Sequence, residues 1–265
     1  MPTSKFDRRA VRRSLSRREF CAIAAGASAS LALGSACTRS GSLVGNDGRL
    51  NARPYPGVTT TPADRIVVTV DSGHRKQDAI LQLPKTENRN DLLPLLVMFH
   101  GATQSAEDMF WYLGTAPEEA TVAVLAPNSR DTTWDAIRGG FGADVEHLNR
   151  VLEGTFKLAA IDPARVSVGG FSDGASYAIS LGLINGDLFS SVVAFSPGFV
   201  IDGTPHSKPR IFISHGKNDH ILPIDRCGRR IASSLQARGY DVTFREFEGD
   251  HEIPADVARE GLRFL

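Results

Sequence analysis

Gly170-Phe171-Ser172-Asp173-Gly174 is the stretch that decides the fold. Ahead of it, Ala164-Arg165-Val166-Ser167-Val168-Gly169 reads as a short buried strand. Behind it, Ala175 to Leu183 reads as a helix packed on a sheet. A serine between two glycines, on a tight strand-to-helix turn, is the pattern of a nucleophile elbow. The glycines have a physical task, because side chains beside the strained serine would collide with the neighbouring strand and helix. Without such flanks the same five residues would be an ordinary glycine-rich turn with Ser172 as a helix N-cap.

A serine hydroxyl is a weak nucleophile at neutral pH and needs a histidine to take its proton. The histidine in turn needs a carboxylate to fix its tautomer. On a sheet carrying such an elbow, the acid follows the serine along the chain and the histidine follows the acid, each in a loop after a later strand. The strand pattern Pro209–Gly216 is followed by Lys217-Asn218-Asp219, which makes Asp219 the expected acid. Asp225 is the other carboxylate in reach, but it reads as charge at the start of the next helix. The alternating strand Tyr240–Phe247 is followed by Glu248-Gly249-Asp250-His251, which makes His251 the expected base. Among the other histidines, His220 adjoins Asp219, and His100 and His215 each precede a glycine at a strand end and read as structural.

Acyl transfer also needs backbone N–H groups aimed at the developing oxyanion. One is expected from Asp173, the residue after the serine. The other is expected from the loop His100-Gly101-Ala102-Thr103-Gln104-Ser105 after the third strand, with Ala102 as the donor. Phe110-Trp111-Tyr112, just beyond that loop, reads chiefly as helix core. Trp134 and Phe199 are expected at the rim of the pocket.

These residues resemble an α/β-hydrolase, and specifically the polyhydroxybutyrate depolymerase, feruloyl esterase and carboxylesterase group. The resemblance is carried by His100–Ser105, Ile161-Asp162-Pro163-Ala164-Arg165-Val166, the elbow, and the loops of Asp219 and His251. It covers about the last two hundred residues. It implies hydrolysis of small or polymeric carboxylic esters through an acyl-enzyme, with neither metal nor organic cofactor. Asp173 departs from the group, which more often has Asn or Ala there, and a carboxylate at that place disfavours acidic acyl groups. The same acyl chemistry serves amides, so a peptidase or amidase is the rival within the scaffold. A non-catalytic binding protein that keeps the fold is the rival outside it.

Eight strand candidates centre on 66–70, 79–83, 95–99, 122–125, 166–169, 191–195, 211–214 and 242–247. Helical patterns span 105–113, 144–158, 174–183, 225–238 and 254–265. Alternating β and α elements with apolar strands predict an α/β fold, a mostly parallel eight-stranded sheet with helices on both faces. The first two strands have no helix between them and suit an antiparallel start. Only a loop separates the strands ending near Phe195 and starting near Ile211, which leaves no room for a large cap domain.

Residues 1–36 read as a twin-arginine signal peptide. Arg17 and Arg18 address the export machinery, and an apolar stretch from Cys21 to Leu33 is too short and too small-residue-rich to span a membrane well. Gly34-Ser35-Ala36 suits cleavage, giving a periplasmic or extracellular enzyme; Cys37 offers the other outcome, a lipid anchor. Residues 37–64, rich in Ser, Gly, Asn, Thr and Pro, read as a flexible tether to a catalytic domain at 65–265. The chain has 30 basic and 30 acidic residues, but the leader removes seven basic and two acidic ones, leaving a net of −5. That balance argues against nucleic-acid binding.

Overall fold

Alternation along the central strands sorts their side chains onto two faces. In β3 (Leu93–Phe99), Leu95, Val97 and Phe99 join one buried cluster, while Leu96 and Met98 join another. β6 (Ser191–Phe195) does the same, with Val192 and Ala194 on the first face and Val193 and Phe195 on the second. A strand apolar on both faces must be covered on both. The helices α3 (Ala143–Leu158), α4 (Asp173–Ile184) and α5 (Gly228–Ala237) cover the first face; α1 (Ala106–Leu113) and α6 (Ala255–Arg263) cover the second.

The computed structural model describes residues 47–70 and 78–265. The expected signal peptide, with Arg17 and Arg18, and the residue after it, Cys37, lie outside the described residues. The remaining strands are β1 (Arg65–Val68), β2 (Ala79–Gln82), β4 (Ala123–Pro127), β5 (Ile161–Phe171), β7 (Arg210–Gly216) and β8 (Val242–Phe247). They form one eight-stranded sheet in the order β1-β2-β4-β3-β5-β6-β7-β8. β1–β2 and β2–β4 pair antiparallel, and every later pair is parallel. This is the α/β-hydrolase architecture the sequence predicts, and among the described residues no large cap covers the edge where β3, β5, β7 and β8 end.

Two short elements escape the sequence patterns. They are α2 (Ala116–Glu119) and a 3-10 turn at Asp135–Arg138, both too brief to show a period. β5 begins at Ile161, three residues ahead of the expected Ala164–Gly169 run. Leu93 pairs with Ile161, then the register shifts so that Leu95 pairs with Val166, and the exposed Pro163-Ala164-Arg165 segment hides the strand's start from an apolar pattern.

The larger correction concerns residues 47–64, expected to be part of a tether. They are seated on the domain. Leu50 is fully buried in the first core cluster, and its N–H donates to Asn185 Oδ1 at 2.9 Å. The Asn185 amide returns a bond to the Gly48 carbonyl at 2.8 Å. The N–H groups of Asn51 and Ala52 both donate to Asn149 Oδ1, at 2.7 and 2.9 Å. Arg49 and Arg53 share Asp187. Polar composition misleads here because the anchoring apolar residues are single, and their partners are Asn side chains about a hundred residues away in sequence. Leu50→Ala should therefore cost about 2–5 kcal/mol in denaturant unfolding, as for other buried Leu truncations; a loss near zero would show that the segment contributes nothing to the fold.

Candidate active site

Ser172 sits where β5 turns into α4, with φ 57° and ψ −118°. A non-glycine residue in that region costs on the order of 1–3 kcal/mol and persists only where its surroundings enforce it. The enforcement is visible. The Ser172 N–H donates to the Phe195 carbonyl at 2.9 Å, and α4 is pressed so close to β3 that a Cβ at Gly174 would stand 2.3 Å from the Phe99 carbonyl oxygen. Only glycine fits there, and the contact drives the serine up to the carboxyl edge of the sheet.

The loops after β7 and β8 are clamped together in the same manner. The Lys217 N–H donates to the Phe247 carbonyl and the Asn218 N–H to the Gly249 carbonyl, both at 2.9 Å. A Cβ at Gly216 would lie 2.2 Å from the Asp250 carbonyl oxygen. This clamp brings the expected acid and base together. His251 Nδ1 lies 2.7 Å from Asp219 Oδ2, and His251 Nε2 lies 2.9 Å from Ser172 Oγ. The backbone N–H of His251 is held by Asp250 Oδ1 at 2.8 Å, and the same oxygen receives His220 Nδ1 at 2.6 Å. His220 thus supports the loop from outside.

Asp219 is buried, its side chain fully so. Burial alone would push its carboxyl up. Hydrogen bonds from His215 and His251, the charge of His251 and the Leu222 amide outweigh burial and hold it well below the usual carboxylate range. The group therefore stays ionised at neutral pH. A neighbouring imidazolium would be stabilised, and the imidazole tautomer with its proton on Nδ1 is selected.

The loop after β3 lies against Ser172, with a Cβ at Gly101 falling 3.4 Å from Ser172 Cβ. Its amides are assigned almost completely. Gly101 N–H donates to Gln104 Oε1 at 2.9 Å, Thr103 N–H to the Thr132 carbonyl at 2.7 Å, and Gln104 N–H to the Gly101 carbonyl at 3.2 Å. Ala102 N–H is the loop amide left over, and Asp173, first in α4, has an N–H without an intrahelical partner. His100 holds the loop from behind. Its Nε2 accepts the Ser129 N–H at 3.0 Å, so its Nδ1 proton goes to the Gly101 carbonyl at 2.7 Å.

The Asp173 carboxylate points away from bulk water and accepts the Thr133 hydroxyl at 2.7 Å. Burial pushes its carboxyl up, against the Thr133 bond and the charge of His251. Trp134 needs correcting. Expected at the rim, it is 1% exposed, stacked on Tyr177 at 5.0 Å, with its indole N–H donating to the His100 carbonyl at 2.9 Å. A buried acceptor within reach makes the ring a core residue that supports the loop after β3. Phe199 is 41% exposed, in a loop pinned by Ser176 Oγ accepting the Gly198 N–H at 2.9 Å. Trp111, grouped with core positions by its pattern, is 71% exposed. It begins a line of rings: Trp111 to Tyr112 at 5.0 Å, Tyr112 to Phe171 at 5.0 Å, and Phe171 to the His251 imidazole at 4.8 Å.

An open groove of about 710 Å³ lies between the 3-10 turn and the loop after β6, lined by Ile137, Arg138, Phe141, Ile201 and Asp202 among others. Ser172, Asp219 and His251 are not part of its lining. Among the described residues no group of His, Cys, Asp and Glu is placed to hold a metal ion.

The fold and this edge of the sheet define an α/β-hydrolase. Residues 129–265 match the phospholipase/carboxylesterase family, and the chain belongs to it. It is 26% identical over 184 residues to the "Putative esterase NocK" of Nocardia uniformis subsp. tsuyamanensis, covering 65% of this chain and 52% of that protein. The chain thus spans about half the length of the curated relatives it matches. Among solved structures it resembles esterase PE8, with a TM-score of 0.56 and 22% identity over 69% of this chain and 95% of that one. It also resembles a CE1 ferulic acid esterase from Anaeromyces mucronatus, with a TM-score of 0.56 and 15% identity over 80% and 93% of the two chains. Both structural likenesses speak to the fold.

Asp135, half-buried in the 3-10 turn, and Asp144, buried in the first turn of α3, form an acid pair. Asp144 accepts the N–H groups of Arg130 and Asp135, and Asp135 accepts the N–H of Asp144. Burial, with the Asp135 charge, raises the Asp144 carboxyl from 3.8 to about 6. In the unfolded chain it ionises near 3.8, so between about pH 4 and pH 6 the folded state holds more protons and stability falls as pH rises. A shift of this size corresponds to about 3 kcal/mol. The unfolding free energy of wild type relative to Asp144→Asn should thus grow as pH falls from 6 to 4; a difference independent of pH would contradict it.

Proposed function

We propose that this chain is a serine esterase. In that mechanism Ser172 attacks the carbonyl carbon of a carboxylic ester while His251 Nε2 takes the hydroxyl proton, and Asp219 orients the ring and stabilises the imidazolium. The amides of Ala102 and Asp173 hold the oxyanion. The imidazolium then gives its proton to the leaving alkoxide, the alcohol departs, and water repeats the sequence on the acyl-enzyme. One observation carries this proposal: a single imidazole bridges Ser172 Oγ at 2.9 Å and Asp219 Oδ2 at 2.7 Å. Membership of the phospholipase/carboxylesterase family supports the reaction class.

The finer specificity we assign is that of depolymerase and feruloyl-type esterases, acting on esters with an extended or aromatic group. The line of rings from exposed Trp111 to His251 supports it. We also assign export through the twin-arginine route to the periplasm or beyond, ending either in cleavage after Ala36 or in acylation of Cys37; the order of charges and apolar residues in the leader supports this. The mechanism is tested by Ser172→Ala with a short p-nitrophenyl ester. The expected loss in kcat is at least about a thousandfold with the thermal unfolding midpoint retained; persistence of hydrolysis would reject the assignment.

A further inference from the structure

The acid of this site is contacted by two histidines. His215, at the end of β7, is fully buried, and its Nε2 lies 2.7 Å from the Leu222 carbonyl oxygen and 3.2 Å from Asp219 Oδ2. A carbonyl oxygen only accepts, so Nε2 carries the proton and shares it between the two oxygens. The opposite edge of the ring is closed off. Nδ1 is buried with no hydrogen-bond partner, and a Cβ at Gly228 would lie 2.6 Å from it. A proton on Nδ1 would be stranded against the backbone of α5, so only the Nε2–H tautomer suits the site. Asp219 is then ringed by donors. Oδ1 accepts the N–H groups of Ile221 and Leu222 at 3.0 and 2.7 Å, and Oδ2 accepts His251 and His215. Leu222 donates to the carboxylate and accepts from His215, which closes the turn 219–222 on itself.

We propose that His215 is a positioning residue of this esterase: its Nε2–H fixes Asp219 Oδ2 and withdraws charge from it, thereby setting how strongly the carboxylate holds the proton on His251. The proposal rests on the assignment of Ser172, Asp219 and His251 to catalysis. Other groups face the pair. Asp173 at the start of α4 acts on His251, Asp250 holds the His251 amide and carries His220, and the buried Cys227 thiol ahead of α5 faces Asp219. Burial pushes that thiol up, so it stays neutral and leaves His215 as the polar neighbour on that side of the acid.

Removing the donor while keeping bulk leaves more charge on Asp219 Oδ2. The carboxylate then attracts the protonated imidazole more strongly, and inactive protonated enzyme persists to higher pH. His215→Leu should shift the acid limb of the kcat/KM profile up by about half to one pH unit and lower the plateau about tenfold. His215→Gln, whose amide can place an N–H where Nε2 stands, should return the limb to its wild-type position. Fluorophosphonate labelling of both variants checks that the site is assembled. In wild-type enzyme, ¹⁵N shifts of His215 should show the proton on Nε2, a measurement that holds even if His215→Leu does not fold. A limb that stays put in a labelled His215→Leu enzyme, or a proton found on Nδ1, overturns the proposal. Hydrolysis surviving in Ser172→Ala would instead remove the catalytic assignment on which it rests.

Discussion

The constraint on which this site depends is the charge of one buried carboxylate. Asp219 is out of water, a position in which an isolated carboxylate would take up a proton. It keeps its charge because four donors from three parts of the chain converge on it: two amides of its own turn, His215 from the end of β7 and His251 from the loop after β8. Each donor is fixed by something other than the carboxylate. The turn is closed through Leu222, and the loops after β7 and β8 are locked by backbone bonds and by a contact that admits only glycine at 216. The ionised acid is thus a product of the fold, and the orientation of the His251 ring follows from it.

The sheet supplies the convergence. Parallel strands β3, β5, β7 and β8 all end at one edge, so loops far apart in sequence meet there. The serine is the strained member. Its backbone conformation is held by β6 through the Phe195 carbonyl and by the close approach of α4 to β3, so core packing keeps Oγ presented. The loop after β3 is fastened by His100, Gln104 and Trp134, each bonded elsewhere, which leaves the Ala102 amide over. Preorganisation of this kind avoids reorganisation when charge develops.

Much of this was legible in the sequence, for identifiable reasons. The strands announced themselves because buried parallel strands are continuous apolar runs, and the elbow because its glycines are sterically required. Ser172, Asp219 and His251 could be placed together because chain order on such a sheet restricts which loops share an edge. What escaped depends on partners distant in sequence. Leu50 and its neighbours looked like linker because their anchors are Asn149, Asn185 and Asp187. Trp134 looked like rim because nothing local shows that the His100 carbonyl waits for its indole N–H. Trp111 looked like core because helical spacing does not reveal that its ring stands outside the packed face. His215 was legible as a histidine shaping a turn, but its bond to Asp219 needed the turn's geometry.

The central claim, that the hydroxyl of Ser172 is activated through His251 by the charge on Asp219, is tested most directly by a covalent probe. Wild-type protein treated with an alkyl fluorophosphonate and examined by intact mass and peptide mapping should carry a single phosphonyl group on Ser172. The rate should fall steeply in Asp219→Asn. No adduct, or an adduct on a residue other than Ser172, would contradict the account.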